Sequence, residues 1–218
     1  MAVTLYSMSW SPPCRAVLLL AEELGIKVNI KPIETTKKDH LKPEFIKINP
    51  QHCVPTLDDD GFILWESRAI MAYLVEQYAK EDSLYPKDPK KRAIVNQRLY
   101  FDMNPLFSSF KNYFVPVALH KEDPHEPFFT KMQEAVGFFE KFLEGKEWAA
   151  GDNITIADYT LAVTISDMQA VGLVLSHDYP NVTKWLDKVK ASVKGSEEQL
   201  VKQSKVMGHM FMKNLKTF

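Results

Sequence analysis

Apolar and polar positions change period along this chain, and the changes mark its elements. Val3–Ser7 reads as a strand, and Val28-Asn29-Ile30-Lys31 alternates residue by residue as a second one. Between them a helix is expected from Pro13 to Leu24, stopped by Gly25 just beyond its end. Its residues Ala16 to Leu24 leave little polar face, so neighbours should cover it on both sides. Thr56–Asp58 and Phe62–Trp65, joined through Asp59-Asp60-Gly61, read as a hairpin. Ser67 then opens a helix with Ile70, Tyr73, Leu74 and Tyr78 on one face. The order β-α-β followed by β-β-α gives a small α/β domain with a mixed sheet over residues 1–79.

Residues 80–88 are polar and contain proline, and read as a linker. From Asp88, a cap with Pro89 at the first helical position, the pattern is helical to the end. Helices are expected near 89–119, 127–143, 156–170, 181–194 and 197–213. The first contains Pro105 and Pro116, which predicts a kink or break. Thr155 and Asp158 carry a capping signature for the third. The second domain, 89–218, is therefore all-α.

Composition changes this picture only by exclusion. The chain has 218 residues, 45% hydrophobic and 25% charged, enough for one large or two small domains with full cores. Lys and Arg number 27 against 28 Asp and Glu, so no basic surplus points to nucleic acid or an anionic membrane. No window of 18 apolar residues suggests a membrane span, and the start lacks a signal-peptide pattern. Two cysteines, Cys14 and Cys53, fit a reducing compartment, which predicts a cytosolic protein. The six histidines show no metal-ligand spacing, so no metal is expected.

The chemistry concentrates in three places. Ser9-Trp10-Ser11-Pro12-Pro13-Cys14-Arg15 sits at a strand-to-helix junction. There, free backbone N–H groups and the macrodipole favour an anion, and Ser11 is placed to hold an oxyanion or thiolate. Asn49-Pro50-Gln51-His52-Cys53-Val54-Pro55-Thr56-Leu57 and Leu64-Trp65-Glu66-Ser67-Arg68-Ala69-Ile70 follow downstream.

With Asp39-His40-Leu41-Lys42-Pro43-Glu44-Phe45, Asn96-Gln97-Arg98-Leu99-Tyr100-Phe101-Asp102-Met103, and Ala150-Gly151-Asp152 through Ile156-Ala157-Asp158, these segments make the whole chain resemble a cytosolic glutathione transferase of the insect delta/epsilon group. The chain shows features of both classes: the Pro12-Pro13 pair looks epsilon-like, whereas Glu66-Ser67-Arg68 and the run from Asn96 to Met103 look delta-like. Ser9-Trp10 stands where delta members usually read Pro-Gly.

The resemblance implies a thioredoxin-like N-terminal domain with a four-stranded mixed sheet, an all-helical C-terminal domain, and a homodimer. It implies conjugation of reduced glutathione, as co-substrate, to hydrophobic electrophiles in detoxification, including insecticides. Peroxidase or dehydrochlorinase side activity belongs to the same expectation. Ser11 would stabilise the glutathione thiolate. Glu66, Ser67 and Arg68 would hold the γ-glutamyl end, Val54 the cysteinyl main chain before a cis Pro55, and His40 and His52 the glycyl end. The electrophile would lie between the domains, against Met103, Phe107, Phe110, Tyr113, Phe114 and Val117 of the long helix and Met207 and Phe211 of the last.

Rivals are visible in the residues themselves. Ser11 is an ordinary helix cap by type. Tyr6 is a rival hydroxyl, though its place within the first strand predicts packing. Cys14 ends a Ser-Pro-Pro-Cys run that mimics a disulfide-exchange motif with serine at the attacking position, which removes that nucleophile. Cys14 is then expected as a small buried hydrophobe. A non-catalytic carrier of hydrophobic ligands is the alternative function.

Overall fold

The computed structural model describes residues 2–175 and 177–215. Four strands, β1 (Ala2–Ser7), β2 (Lys27–Pro32), β3 (Thr56–Asp59) and β4 (Phe62–Trp65), form one sheet in the order β2-β1-β3-β4. β1 runs parallel to β2 and antiparallel to β3, and β3 antiparallel to β4, with Leu5 opposite both Ile30 and Leu57. The β3–β4 turn is Asp60-Gly61, both at positive φ (52° and 86°), the conformation that Asp-Gly adopts in a two-residue hairpin. Alternation along β1 sends Val3 and Leu5 into the main core, whereas Tyr6 packs with Ile33 and Phe45 in a separate cluster.

The helix α1 (Pro12–Glu23) follows β1. It packs against α3 (Ser67–Tyr78) on one side and the helical half of the chain on the other. Covered on both sides, it buries Cys14, Arg15, Ala16, Val17, Leu19 and Leu20. β2 is less simple. Its alternation predicts one buried face, yet Ile30 is 52% exposed. It is an edge strand, and period two reports two faces without reporting what covers them. Two short helical turns, Thr35–Lys37 and Asp39–Leu41, and the four-residue α2 (Pro43–Ile46) lead into the loop before β3.

Beyond an irregular stretch at 79–88, the chain is helical: α4 (Pro89–Phe101), α5 (Phe107–His120), α6 (Glu126–Phe142), α7 (Ile156–Ala170), α8 (Pro180–Ser192) and α9 (Gln203–Asn214). Pro105 does interrupt the first long helix, but by widening it. Asp102–Leu106 form a π-helical turn between α4 and α5, which absorbs the missing proline N–H. A second wide turn, Glu197–Lys202, precedes α9. α7 is the hub: every residue from Ile156 to Met168 is buried, and it packs against α1, α4, α8 and α9. Its start is capped as the sequence predicts. Asp158 accepts the Thr155 N–H at 2.8 Å, and also takes Ala149 N–H and Trp185 Nε1–H at 2.8 Å each.

Candidate active site

Ser11 stands at the N-cap of α1, 4% exposed, with its hydroxyl making no capping bond to the helix backbone. The anion site is leaner than a helix N-terminus usually is. Pro12 and Pro13 have no N–H, so Cys14 supplies the one main-chain donor among the first three helical residues. A ligand anion here depends on the Ser11 hydroxyl and the helix dipole more than on backbone amides. Cys14 is wholly buried, and burial pushes its thiol up, with a hydrogen bond from the Ser11 side chain offsetting only part. It is held as a neutral thiol and packs as a small hydrophobe. Tyr6 lies elsewhere: its ring meets Phe45 at 5.5 Å and its hydroxyl accepts Lys31 Nζ at 3.3 Å.

The loop between α2 and β3 is shaped by a buried amide. Asn49 is fully buried. Its Nδ2 donates to the Cys53 carbonyl at 3.2 Å and to Thr56 Oγ1 at 2.9 Å, and its Oδ1 accepts the Gln51 N–H at 2.9 Å. This clamp holds His52 at a φ of 44° and leads into a cis Val54–Pro55 peptide. His40 and His52 come together, ring centroids 5.9 Å apart, although twelve positions separate them in sequence. His40 Nδ1 is buried without a hydrogen-bond partner.

Glu66 bridges β4 and α3 at a φ of 72° and a ψ of 104°. Ser67 is buried, and Arg68 Nη1 donates to its hydroxyl at 3.3 Å. Arg68 is not a solvated surface residue. Its other nitrogen, Nη2, pairs with the buried Asp102, whose carboxylate also accepts Thr160 Oγ1 at 2.6 Å and Thr164 Oγ1 at 2.7 Å. This network ties the turn carrying Glu66 and Ser67 to α7 in the helical domain.

A cavity of about 390 Å³ opens beside Ser11, between the two domains. Met8, Trp10, Pro12, Pro13, Cys53 and Val54 line its sheet-domain side; Phe107, Phe110, Phe114 and Met207 line the other. Of the expected electrophile contacts, those last four are therefore brought together. Tyr113, Val117 and Phe211 are packed into the core behind the wall, Tyr113 against Phe129 at 5.3 Å and Phe211 at 5.2 Å. Met103 opens into a different cavity, with Tyr100, Phe101 and Phe142. Met103 sits inside the wide turn, whereas Phe107 opens α5. Trp10 lines the wall with its ring 6.5 Å from that of Phe114. Among the described residues no group of His, Cys, Asp and Glu is arranged to hold a metal, and no helix is long and apolar enough to cross a membrane.

Two family models match the chain: the N-terminal domain of glutathione S-transferase over residues 1–76 and its C-terminal domain over residues 103–192. The chain belongs to the glutathione transferases. A delta-class transferase of Nilaparvata lugens is 47% identical, with a TM-score of 0.92 over 97% of this chain and 99% of that one. An epsilon-class transferase of Musca domestica is 36% identical, at 0.93 over 99% and 100%. A transferase homologue from Drosophila mojavensis with bound glutathione is 31% identical, at 0.94 over 100% and 99%. The protein is thus a transferase that conjugates glutathione, its co-substrate, on a thioredoxin-like domain joined to a helical one.

Several residues that build the transferase's site give no local signal. Arg15 is fully buried at the base of α1. It pairs with Asp167 of α7 and donates to the Gln199 carbonyl at 2.6 Å and Ser204 Oγ at 3.2 Å. By sequence it is a charge on an amphipathic helix, and its partner is 152 positions away. Asp167 is likewise hidden; burial pushes its carboxyl up, and Arg15 and Ser204 pull it back. Asn49 lies inside a recognised motif, but its role as a clamp emerges only with the loop folded around it.

Proposed function

We propose that Ser11 donates its hydroxyl hydrogen to the sulfur of bound glutathione and that the interdomain cavity receives the electrophile. The observation that supports this is the position of Ser11: a nearly buried hydroxyl at a helix N-terminus, free of capping duty, on the wall of an apolar cavity. A free thiol with a pKa of about 8.5 is only a few per cent ionised at pH 7. Lowering that pKa by two units takes about 2.7 kcal/mol of preferential stabilisation of the thiolate. A charge-assisted hydrogen bond together with a helix dipole is of that size. Glutathione's γ-glutamyl end then falls to Glu66, Ser67 and Arg68, its cysteinyl main chain to Val54, and its glycyl carboxylate to His40 and His52. Glu66 takes the ammonium, and the Ser67 end of α3 and the Arg68 charge favour the carboxylate.

In this arrangement the thiolate attacks the electrophilic carbon of a substrate held against Trp10, Phe107, Phe110 and Phe114. The C–S bond forms, the leaving group departs with its electron pair, and the thiol proton passes to solvent. Holding both reactants in one cavity supplies the proximity term. The protein acts as a homodimer in the cytosol and detoxifies hydrophobic electrophiles, insecticides among them. This rests on the resemblance and on two free cysteines, Cys14 and Cys53.

The test is the ultraviolet difference spectrum of bound glutathione against pH, for wild type and Ser11→Ala. The expected result is a thiolate band titrating below pH 8.5 in wild type and shifted upward in the variant, with turnover reduced about ten- to a hundredfold. Tight binding with an unshifted thiol in wild type would favour the carrier alternative. Unchanged turnover in Ser11→Ala would remove Ser11 from catalysis.

A further inference from the structure

Among the described residues, the cavity has one charged side chain on its wall, Lys111. Phe107, Phe110, Lys111, Phe114 and Val115 fall three, four, seven and eight positions from the first, so they share the stripe of α5 that faces the cavity. Lys111 stands one turn from Phe107 and one turn from Val115, within that stripe and off the opposite, solvent face. Among the described residues no acidic side chain lines the cavity. Among the described residues Lys111 has no ion-pair partner, whereas Arg15, Arg68, Arg92 and Lys188 are all paired. Its side chain reaches water. A lysine that lines an apolar cavity and is also exposed to water can cover apolar surface with its alkyl stem while its ammonium stays hydrated.

We infer that Lys111 selects electrophiles that carry an acidic group on an apolar body, the carboxylate meeting the ammonium while the reactive carbon reaches the sulfur. This rests on the proposed electrophile cavity and deepens it. Glutathione does not consume the charge, because its carboxylates are assigned to Ser67, Arg68, His40 and His52. An apolar wall with one cation distinguishes substrates by charge at the cavity's edge, while the aromatic residues accept many shapes.

The experiment compares chlorodinitrobenzene with chlorodinitrobenzoate, in the full-length protein with saturating glutathione. Both react alike: the thiolate bonds the chlorine-bearing ring carbon, the C–Cl bond breaks, chloride leaves with the pair and the thiol proton goes to solvent. They differ by one carboxylate. The readout is the ratio of kcat/KM for the benzoate to that for the neutral compound. Lys111→Met is expected to lower the ratio about three- to tenfold. Lys111→Arg should preserve the ratio, and 1 M salt should lower it in wild type through screening. A ratio unchanged by Lys111→Met, with both compounds still conjugated, would overturn the role of Lys111 alone. Conjugation of neither compound by wild type would overturn the cavity assignment and this inference with it.

Discussion

Arg15 shows how much one residue carries here. Its guanidinium is wholly buried and serves Asp167, Ser204 and the Gln199 carbonyl together, joining α1 to α7 and α9. Removing one member of a buried ion pair leaves an uncompensated charge, which costs about 3–5 kcal/mol. Arg15→Met is therefore expected to lower the unfolding free energy obtained from urea denaturation by that amount. Arg15→Met with Asp167→Leu should recover much of the loss, because neither charge is then stranded. Equal destabilisation by the single and the double variant would show that packing around the pair matters more than its charges. Ser11 caps the same helix four positions before Arg15, so the pair anchors the helix start that carries the proposed thiolate donor. None of this was legible in the sequence, where an arginine after Cys14 has no visible partner.

At the scale of elements, period and punctuation located the strands and the long helices within about two residues, and missed α2 and the two helical turns before it, which are too short to show a period. What they missed has a common cause. The wide turn at Asp102–Leu106 contains Pro105, yet a proline predicts an interruption without predicting its geometry; the Ser109 hydroxyl donates to the Pro105 carbonyl at 2.6 Å and the Leu106 carbonyl at 2.8 Å beside it. Phe107, Phe110 and Phe114 beyond the turn face the cavity beside Ser11, and Met103 within it lines a different one. Tyr113 and Val117 lie on the right helix but the wrong side of it. The hairpin and α3 are joined by another contact outside any local pattern. Tyr73 donates to Asp59 Oδ2 at 2.7 Å, and Tyr78 donates to the same oxygen. The Asp59 hydrogen bond pushes Tyr73 up to about 12, and burial followed by the same hydrogen bond does so for Tyr78. Below pH 10 both phenols are neutral whether folded or not, and their contribution is intact. Between pH 10 and 12 the unfolded chain loses these protons first, so stability should fall as pH rises through that window. Burial also raises Tyr113, Tyr159 and Tyr179, so the ultraviolet titration is read as a difference: Asp59→Asn should bring Tyr73 back toward 10 and Tyr78 part of the way. An alkaline titration curve identical in wild type and variant would refute the Asp59 assignment.

Across the whole molecule, the site is assembled from parts that are far apart in sequence and rigid in structure. Ser11 comes from the sheet domain, the aromatic wall opposite it from α5 with Met207 of α9 beside it, and the buried Arg68–Asp102 and Arg15–Asp167 pairs join the two halves. The fold class and the chain positions of Ser11, Glu66 and Ser67 were readable because each depends on local pattern or motif. The register between domains was not, because it depends on side chains that meet only after both halves have formed. Glu66 shows what such a site costs its owner. A side chain at a φ of 72° and a ψ of 104° lies in backbone territory that glycine occupies freely and other residues hold at about 1–3 kcal/mol. Glu66→Gly should therefore melt higher in calorimetry yet bind glutathione more weakly, having lost the carboxylate assigned to its ammonium. A lower melting point would show that the glutamate stabilises the turn instead. Selection for stability alone would favour glycine at this position; retention of the glutamate is what selection for glutathione binding would enforce.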